Sequence, residues 1–293
     1  MSHSTLQQLA LQEKTRREIL HKSDLIPPLP DLVARLLGIL NKQETEPQDL
    51  ERLLQNDQVL VAKMLAMVNS PFYGLNRTIR TIKEAVMVLG FRGVRSLVLA
   101  TSTAKFLQRN FEVYGHQPKG LWLHAVSVAA AARALAKTCK LSADEAEMLF
   151  VAGLLHDIGK MLLVTYLNEA GKGASFQGAA VEYERATIGI DHTEAGALVT
   201  AKWNLAAEIQ EAIKGHHDAA PTATTRGAAV VRLADAVAHE KGVGYLPGRS
   251  PVQPVLPQDL QALGLDDATW SVTRDALMVT IDEAVAALGN LSA

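Results

Sequence analysis

The sequence contains a single cysteine, Cys139, which leaves no internal disulfide and no zinc site built from several thiolates. This scarcity fits a reducing compartment. No uninterrupted apolar run approaches the ~18 residues that a membrane-spanning helix needs. The segment from Met1 to Lys22 is polar and mixed in charge, unlike a signal peptide. We therefore expect a cytoplasmic protein.

An excess of positive charge is also missing. The formal net charge is -2, which argues against the basic field of general nucleic-acid-binding proteins. One local basic cluster is made of Arg77, Arg80, Lys83, Arg92 and Arg95. Because no aromatic residues alternate with these side chains, a solvated face is favoured over a contact with phosphate, nucleic acid or an acidic partner surface.

Alternating strand patterns are absent from the N-terminal half, where apolar residues instead recur at helical spacing, as from Leu32 to Leu40. Capping patterns predict helix starts at Thr45, Asp57 and Thr81. Gly90 is expected to separate two further helices. We predict an all-α protein in which an N-terminal helical bundle packs on a second helical half.

Composition divides the chain into four predicted parts. Residues 1–22 form an exposed leading helix or a disordered arm, and residues 23–112 form the N-terminal bundle. Gly, Pro, His and Gln between Tyr114 and Gly120 mark a boundary. A second helical subdomain follows over 118–242, and a linker with closing helices occupies 243–293.

The pair His156–Asp157 interrupts an apolar helical run. Adjacent residues project about 100° apart on a helix, so both can reach one ion only at a helix end or bend. Gly159 is expected to supply that break. Lys160 follows Asp157 by three residues, which predicts an ammonium group on the same side, suited to an anionic ligand. Taken alone, a His–Asp pair is more often an ordinary hydrogen-bonded pair.

Five of the nine histidines fall at predicted helix starts or ends within one 94-residue block, and Asp157 and Asp235 join them as candidates. Such positions let ligands from different helices converge. Each residue also has an ordinary alternative, as a helix cap, an ion-pair partner or a surface side chain. The candidate metal ligands are His124, His156, Asp157, His192, His216, His217 and Asp235.

Imidazole and carboxylate ligands without thiolate suit one or two divalent ions of iron, manganese, zinc, nickel or cobalt. Two ions with Asp157 between them could turn a bridging water into hydroxide, which would attack a phosphoester. The sequence therefore predicts a metal site in the second helical half.

The order of His124, the His156–Asp157 pair and Asp235 resembles the HD superfamily of metal-dependent phosphohydrolases. The additional residues His192, His216, His217 and Lys160 resemble its HD-GYP branch, whose members hydrolyse cyclic di-GMP at a site of two or three metals. Three N-terminal motifs resemble another family. They are LIPPLP at 25–30, VNSPFYG at 68–74 and IKEAVMVLG at 82–90, and they look like the HDOD family, the HD-related output domain of bacterial signalling proteins.

The HDOD resemblance covers about residues 20–285 and implies an all-α fold with a regulatory or scaffolding role. Many family members have lost the metal ligands, whereas this sequence keeps nearly all of them. It departs from HD-GYP enzymes at Gly120, where those with a third metal carry Glu. The Gly-Tyr-Pro loop expected before Asp235 is missing, and Gly244–Pro247 lies after Asp235 and is not that motif.

Two functions follow from this resemblance. The first is a signalling output protein that binds one or two metals and acts through a signalling protein partner or a small anionic ligand. The alternative is a phosphohydrolase of a nucleotide or cyclic dinucleotide, with Asp157 and Lys160 as its catalytic residues. In that alternative Asp157 bridges two ions and Lys160 holds phosphate. One ion is held by His124, His156 and Asp235, and the other by His192, His216 and His217.

Overall fold

The computed structural model describes residues 3–21, 26–40, 45–55, 57–171, 179–218 and 225–289. Within these ranges the protein is all-α, which confirms the predicted fold class, and the only strand-like feature there is an isolated bridge between His116 and Tyr245. The helices are α1 (His3–His21), α2 (Asp31–Leu40), α3 (Pro47–Leu54), α4 (Gln58–Val68), α5 (Ile82–Leu107), α6 (Gly120–Thr138), α7 (Ala143–Leu155), α8 (Lys160–Gly171), α9 (Ala180–Ile188), α10 (His192–Lys202), α11 (Ala207–Gly215), α12 (Arg226–Lys241), α13 (Pro257–Leu263) and α14 (Asp267–Leu288).

Helix α5 is the support of the N-terminal bundle, since α2, α3 and α4 all pack against it. Their apolar stripes meet in a core whose members include Leu36, Leu50 and Met64, all with no exposed surface. The predicted break at Gly90 is confirmed, because its φ of 68° interrupts the helical backbone of α5. Glycine adopts this left-handed conformation without the steric cost of a Cβ.

Helix caps in this bundle follow the sequence at two of three positions. Asp57 and Thr81 each accept a backbone N–H from the first turn of the following helix, as predicted. The prediction for Thr45 is wrong. Its hydroxyl donates instead to the carbonyl oxygen of Ile39 at 2.6 Å, near the end of α2, and Glu46 occupies the cap position of α3.

Helix α6 is the centre of the second half, and α7, α12 and α14 pack around it. Its alanines, Ala129 to Ala132, are almost completely buried and permit this close packing. The indole of Trp122 donates to the carbonyl oxygen of Leu288 at 3.3 Å, which ties the end of α14 to the start of α6. The hydrophobic core continues from the N-terminal bundle into this half.

The leading segment is a helix, but it is not exposed along its whole length. Helix α1 lies against α9 and α10 of the second half. Ile19 is 2% exposed, and Arg16 forms an ion pair with Glu194 at 2.9 Å. Helix α1 therefore packs on the half that carries the candidate metal ligands.

Two stretches are long and apolar enough, by mean hydropathy, to span a membrane, although neither is an uninterrupted apolar run. They are Ile82–Leu107 and Ala143–Ala170. The protein itself buries 61% of the first apolar window and 89% of the second. Both stretches therefore have the character of core helices.

The predicted break after His156–Asp157 is a turn over residues 156–159, between the end of α7 and the start of α8. A Cβ on Gly159 would lie 2.1 Å from the carbonyl oxygen of His192 and 2.6 Å from the amide nitrogen of Gly196. The missing side chain therefore lets the first turn of α10 approach this turn directly. Close packing, rather than turn geometry alone, requires glycine here.

We expect the substitution Gly159→Ala to destabilise the protein by about 1–3 kcal/mol or more, because the new methyl group would push α10 away. The matched control is Gly38→Ala, where an added Cβ meets nothing within 4 Å and alanine favours the helix. Urea denaturation measures both free energies of unfolding. Equal stability of the two variants would contradict the close-packing role of Gly159.

Candidate metal centre

All seven predicted metal ligands come together in the second half. Their ligand atoms form two groups, and within each group these atoms lie within 4.8 Å of one another. One group consists of His124, His156 and Asp235, and the other of Asp157, His192, His216 and His217. His217 is partly exposed, and the other six side chains are buried.

Helix ends supply most of these ligands, as the sequence analysis expected. His156 and Asp157 lie in the turn between α7 and α8, and His192 is the first residue of α10. His124 is an exception. Helix α6 begins at Gly120, so His124 lies beyond its first turn and not at a helix end.

Asp157 stands between the two groups. Its Oδ2 atom lies 3.3 Å from His156 Nε2, and 3.8 Å from His124 Nε2. Its Oδ1 atom lies 3.2 Å from Nε2 of His192 in the other group. The first group is completed by Asp235, whose Oδ1 is 3.0 Å from His124 Nε2. This placement is the one that a bridging carboxylate would need.

Three of the imidazole rings are oriented by contacts at Nδ1. Nδ1 of His156 lies 2.7 Å from the carbonyl oxygen of Gly153, and Nδ1 of His216 lies 2.5 Å from the carbonyl oxygen of Ile213. In the tautomer in which Nδ1 donates, each ring turns the lone pair of Nε2 toward the centre. Metal-ligating histidines are commonly oriented in this way.

Glu184 on α9 orients the third ring and was missed by the sequence analysis. Its Oε2 atom accepts a hydrogen bond from the backbone N–H of His192 at 2.8 Å and lies 2.7 Å from Nδ1 of the same residue. A carboxylate behind a histidine fixes the tautomer and raises the basicity of the other nitrogen. A lone glutamate on a short helix has no motif that would have revealed it.

Lys160 lies where the sequence predicted, on the same side as Asp157. Its Nζ donates to Oδ2 of Asp157 at 2.6 Å, and the side chain is only 4% exposed. The ammonium also lies 5.2 Å from the ring centroid of Tyr114. A buried positive charge therefore faces the carboxylate that links the two groups.

Beside His124 lie rings that the sequence analysis did not connect with the centre. The ring of Tyr245 lies 4.2 Å from that of His116, 5.1 Å from that of His239 and 5.5 Å from that of His124. A Cβ on Gly120 would lie 1.9 Å from the carbonyl oxygen of Gly244. The Gly244–Tyr245 segment thus fills the space beside Gly120, although it lies far from it in sequence.

Burial and charge set the protonation of the centre. Burial lowers the pKa of His124 to about 4 and that of His216 to about 3. Burial alone would raise the pKa of Asp157, but Lys160 and then His156 hold that pKa well below its usual range. The carboxylates are therefore ionised and these two imidazoles neutral, which is the state that binds a metal ion.

At Asp235 and His156, too, the charges of neighbouring residues outweigh the effect of burial on the pKa. Burial opposes ionisation of Asp235, yet His239 and His124 keep its pKa well below the usual value. For His156, burial lowers the pKa, but the Asp157 carboxylate outweighs it and the net pKa is raised. A proton and a metal ion would therefore compete for His156.

The donor atoms fit a bound metal. Within the described residues, several buried atoms of the centre have no hydrogen-bond partner, namely Nδ1 and Nε2 of His124, Nε2 of His156, Oδ1 of Asp157 and Oδ1 of Asp235. Each such atom costs about 1–3 kcal/mol if it stays unsatisfied. Divalent cations would satisfy the Nε2 atoms and the two carboxylate oxygens together, and the imidazole and carboxylate donors suit a transition metal.

The lowered histidine pKa values predict a loss of stability in acid. Between pH 6.5 and 4 the unfolded chain binds protons at His124 and His216 that the folded, metal-free protein excludes, so stability falls as pH falls. Each histidine contributes up to about 1.4 kcal/mol per pH unit. Because the pKa of His156 is raised, the folded protein holds this proton more tightly than the unfolded chain does. The stability that this provides is lost as the pH rises above 6.5.

Urea denaturation between pH 6.5 and 4, with chelator present, tests this prediction. We expect a shallower pH dependence for His216→Gln than for the wild-type protein. The control His21→Gln changes an exposed residue at the end of α1 and is expected to leave the slope unchanged. Equal slopes for the two variants would contradict the assignment.

Solved structures of other bacterial proteins share this architecture. A solved HDOD domain protein of unknown function from Geobacter sulfurreducens is 27% identical, with a TM-score of 0.72 over 97% of this chain and 99% of that one. A Shewanella amazonensis SB2B protein, provisionally described as a phosphohydrolase, shares the fold at 24% identity, with a TM-score of 0.68 over 92% of this chain and 97% of its own.

A relative from Treponema pallidum (strain Nichols), described as uncharacterised, is 26% identical over 220 residues, which are 72% of this chain. The match covers 42% of that relative, so this chain spans less than half of its length. The sequence model of the HDOD domain family matches residues 26–219. These residues include six of the candidate ligands and end before Asp235. The match takes in most of the chain, and the protein belongs to the HDOD family.

Proposed function

We propose that the protein is a bacterial signal-transduction output or regulatory protein, which binds metal and acts by contacting a protein partner or a small ligand. The observation that carries this proposal is the burial of the first ligand group. The side chains of His124, His156 and Asp235 are at most 2% exposed, and Tyr245 covers the His124 side. A phosphoester substrate needs an open coordination position that it can reach, and burial of the first ligand group disfavours such a position there.

In this proposal His124, His156 and Asp235 hold one ion, and His192, His216 and His217 hold the other, with Asp157 shared. The ions supply positive charge that neutralises two buried carboxylates, and their binding energy stabilises the folded state. The N-terminal bundle presents the partner surface. Lys160 favours an anion close to the centre.

Metal loading tests the proposed centre. Manganese, iron or zinc added to chelator-treated protein should raise the free energy of unfolding by about 2.7 kcal/mol at a concentration one hundred times the dissociation constant. Asp157→Asn removes the shared charge and should lower both the metal content and this stabilisation. The control Asp275→Asn changes an exposed carboxylate on α14 and should leave both unchanged. A wild-type protein that neither retains metal nor gains stability would contradict the proposal.

One observation favours the alternative, a metal-dependent phosphohydrolase acting on a nucleotide or cyclic dinucleotide. Both ligand groups are complete, and Lys160 lies beside the shared carboxylate, where an ammonium could hold a phosphate. The bound metal would supply an activated water for attack on phosphorus. The Shewanella relative, described provisionally as a phosphohydrolase, is consistent with this chemistry.

A phosphodiesterase assay separates the two functions. Wild-type protein, loaded with manganese or iron, is incubated with cyclic di-GMP or with bis(p-nitrophenyl) phosphate. The regulatory proposal predicts no turnover above that of Asp157→Asn. Turnover by the wild-type protein that falls by a factor of about one hundred or more in Asp157→Asn, with Asp275→Asn still active, would establish the enzyme instead.

A further inference from the structure

A buried arginine clamps the turn that carries two candidate ligands. Arg232 on α12 is 7% exposed. Its Nη1 atom donates to the carbonyl oxygen of Gly215 and, at 3.1 Å, to that of Asp218. These two carbonyls lie immediately before and after the pair His216–His217. The guanidinium therefore spans the backbone of that turn.

The end of α11 explains why a donor is needed there. The last carbonyl groups of a helix have no partner inside the helix. His216 is the C-cap residue of α11, and the Gly215 carbonyl before it accepts from both Arg232 and the backbone N–H of Asp218. The position of the His216 ring, held by its own contact to Ile213, depends on this turn.

Asp259 holds the other edge of the same guanidinium. Its Oδ2 accepts from Nε of Arg232 and its Oδ1 from Nη2, both at 2.7 Å. Asp259 is 1% exposed and belongs to α13. A paired fork of this kind fixes the plane of the guanidinium, and with it the direction of Nη1.

Arg232 also links the two ligand groups. It precedes Asp235 by three residues on α12, so the two side chains project from neighbouring positions of one helix. One helix thus supplies a ligand to the first group and clamps the turn of the second. A buried ion pair adds little net stability by itself, which leaves orientation as the contribution that this pair makes.

We infer that Arg232 and Asp259 are positioning residues for the group formed by Asp157 with His192, His216 and His217. Through them α13, which follows the residues that the HDOD model matches, sets the geometry of that group. The inference rests on the proposed metal binding. It predicts a selective loss at one of the two ligand groups.

Titration with manganese and zinc, monitored by calorimetry, tests this selectivity. Asp259→Asn and Arg232→Lys should each weaken one of two binding events by about 10- to 100-fold and leave the other unchanged. The control is Arg274→Lys, which alters another arginine fork, to Glu240, at the surface. Equal weakening of both events, or weakening of neither, would overturn the inference.

A metal-free measurement keeps this inference separate from the proposed function. Long-range proton–nitrogen NMR spectra of chelator-treated protein should show changed ring signals for His216 and His217 in Asp259→Asn. The signals of His124 and His156 should stay in place. If wild-type protein binds no metal, the proposed function fails, and these spectra still decide whether the clamp positions the rings. Unchanged signals, equal changes in all four rings, or unfolding of both variants would overturn the positioning role.

Discussion

Two carboxylates and several imidazoles can share the interior of a helical protein only if their charges and lone pairs are balanced against one another. The contacts of Asp157 provide most of that balance. One of its oxygens lies 2.6 Å from the ammonium of Lys160, and the other lies 3.2 Å from His192. The turn between α7 and α8 exists in this form because Gly159 leaves room for α10, which brings His192 to the carboxylate. The remaining ligands are arranged around this contact.

The surrounding helices differ in what they contribute. The core helices α6 and α12 hold His124 and Asp235 within well-packed structure, whereas turns and helix ends present His156 and His216. Side chains that are not candidate ligands then fix the geometry. Glu184 orients one ring, and Arg232 holds the turn that presents another. A centre built in this way is preorganised by packing as well as by its own ligands.

Much of this architecture could be predicted from the sequence, because apolar periodicity and capping residues are local signals. The helices, the break at Gly90 and the candidate ligands all follow from such signals. The cap predicted at Thr45 is wrong because a capping pattern does not show which neighbouring residue takes the cap position. In the folded chain Glu46 takes it, and the hydroxyl of Thr45 donates to the carbonyl oxygen of Ile39. Tyr245 could not be found, since it reaches His124 through a contact between segments that are distant in sequence. Glu184 lies only eight residues before His192, but no motif marks it as the partner of that ring.

The proposed function rests on the side of the centre where Tyr245 lies against His124. The Gly244–Tyr245 segment lies in the wrong order along the chain to be a Gly-Tyr-Pro loop, yet it occupies the space beside Gly120. We propose that the buried cluster is a two-metal centre. A crystal structure of manganese-loaded protein, with anomalous diffraction at the manganese edge, tests it most directly. We expect two anomalous peaks, one in each ligand group, with Asp157 between them. Water molecules and direct His–Asp hydrogen bonds at both positions, without anomalous signal, would contradict it.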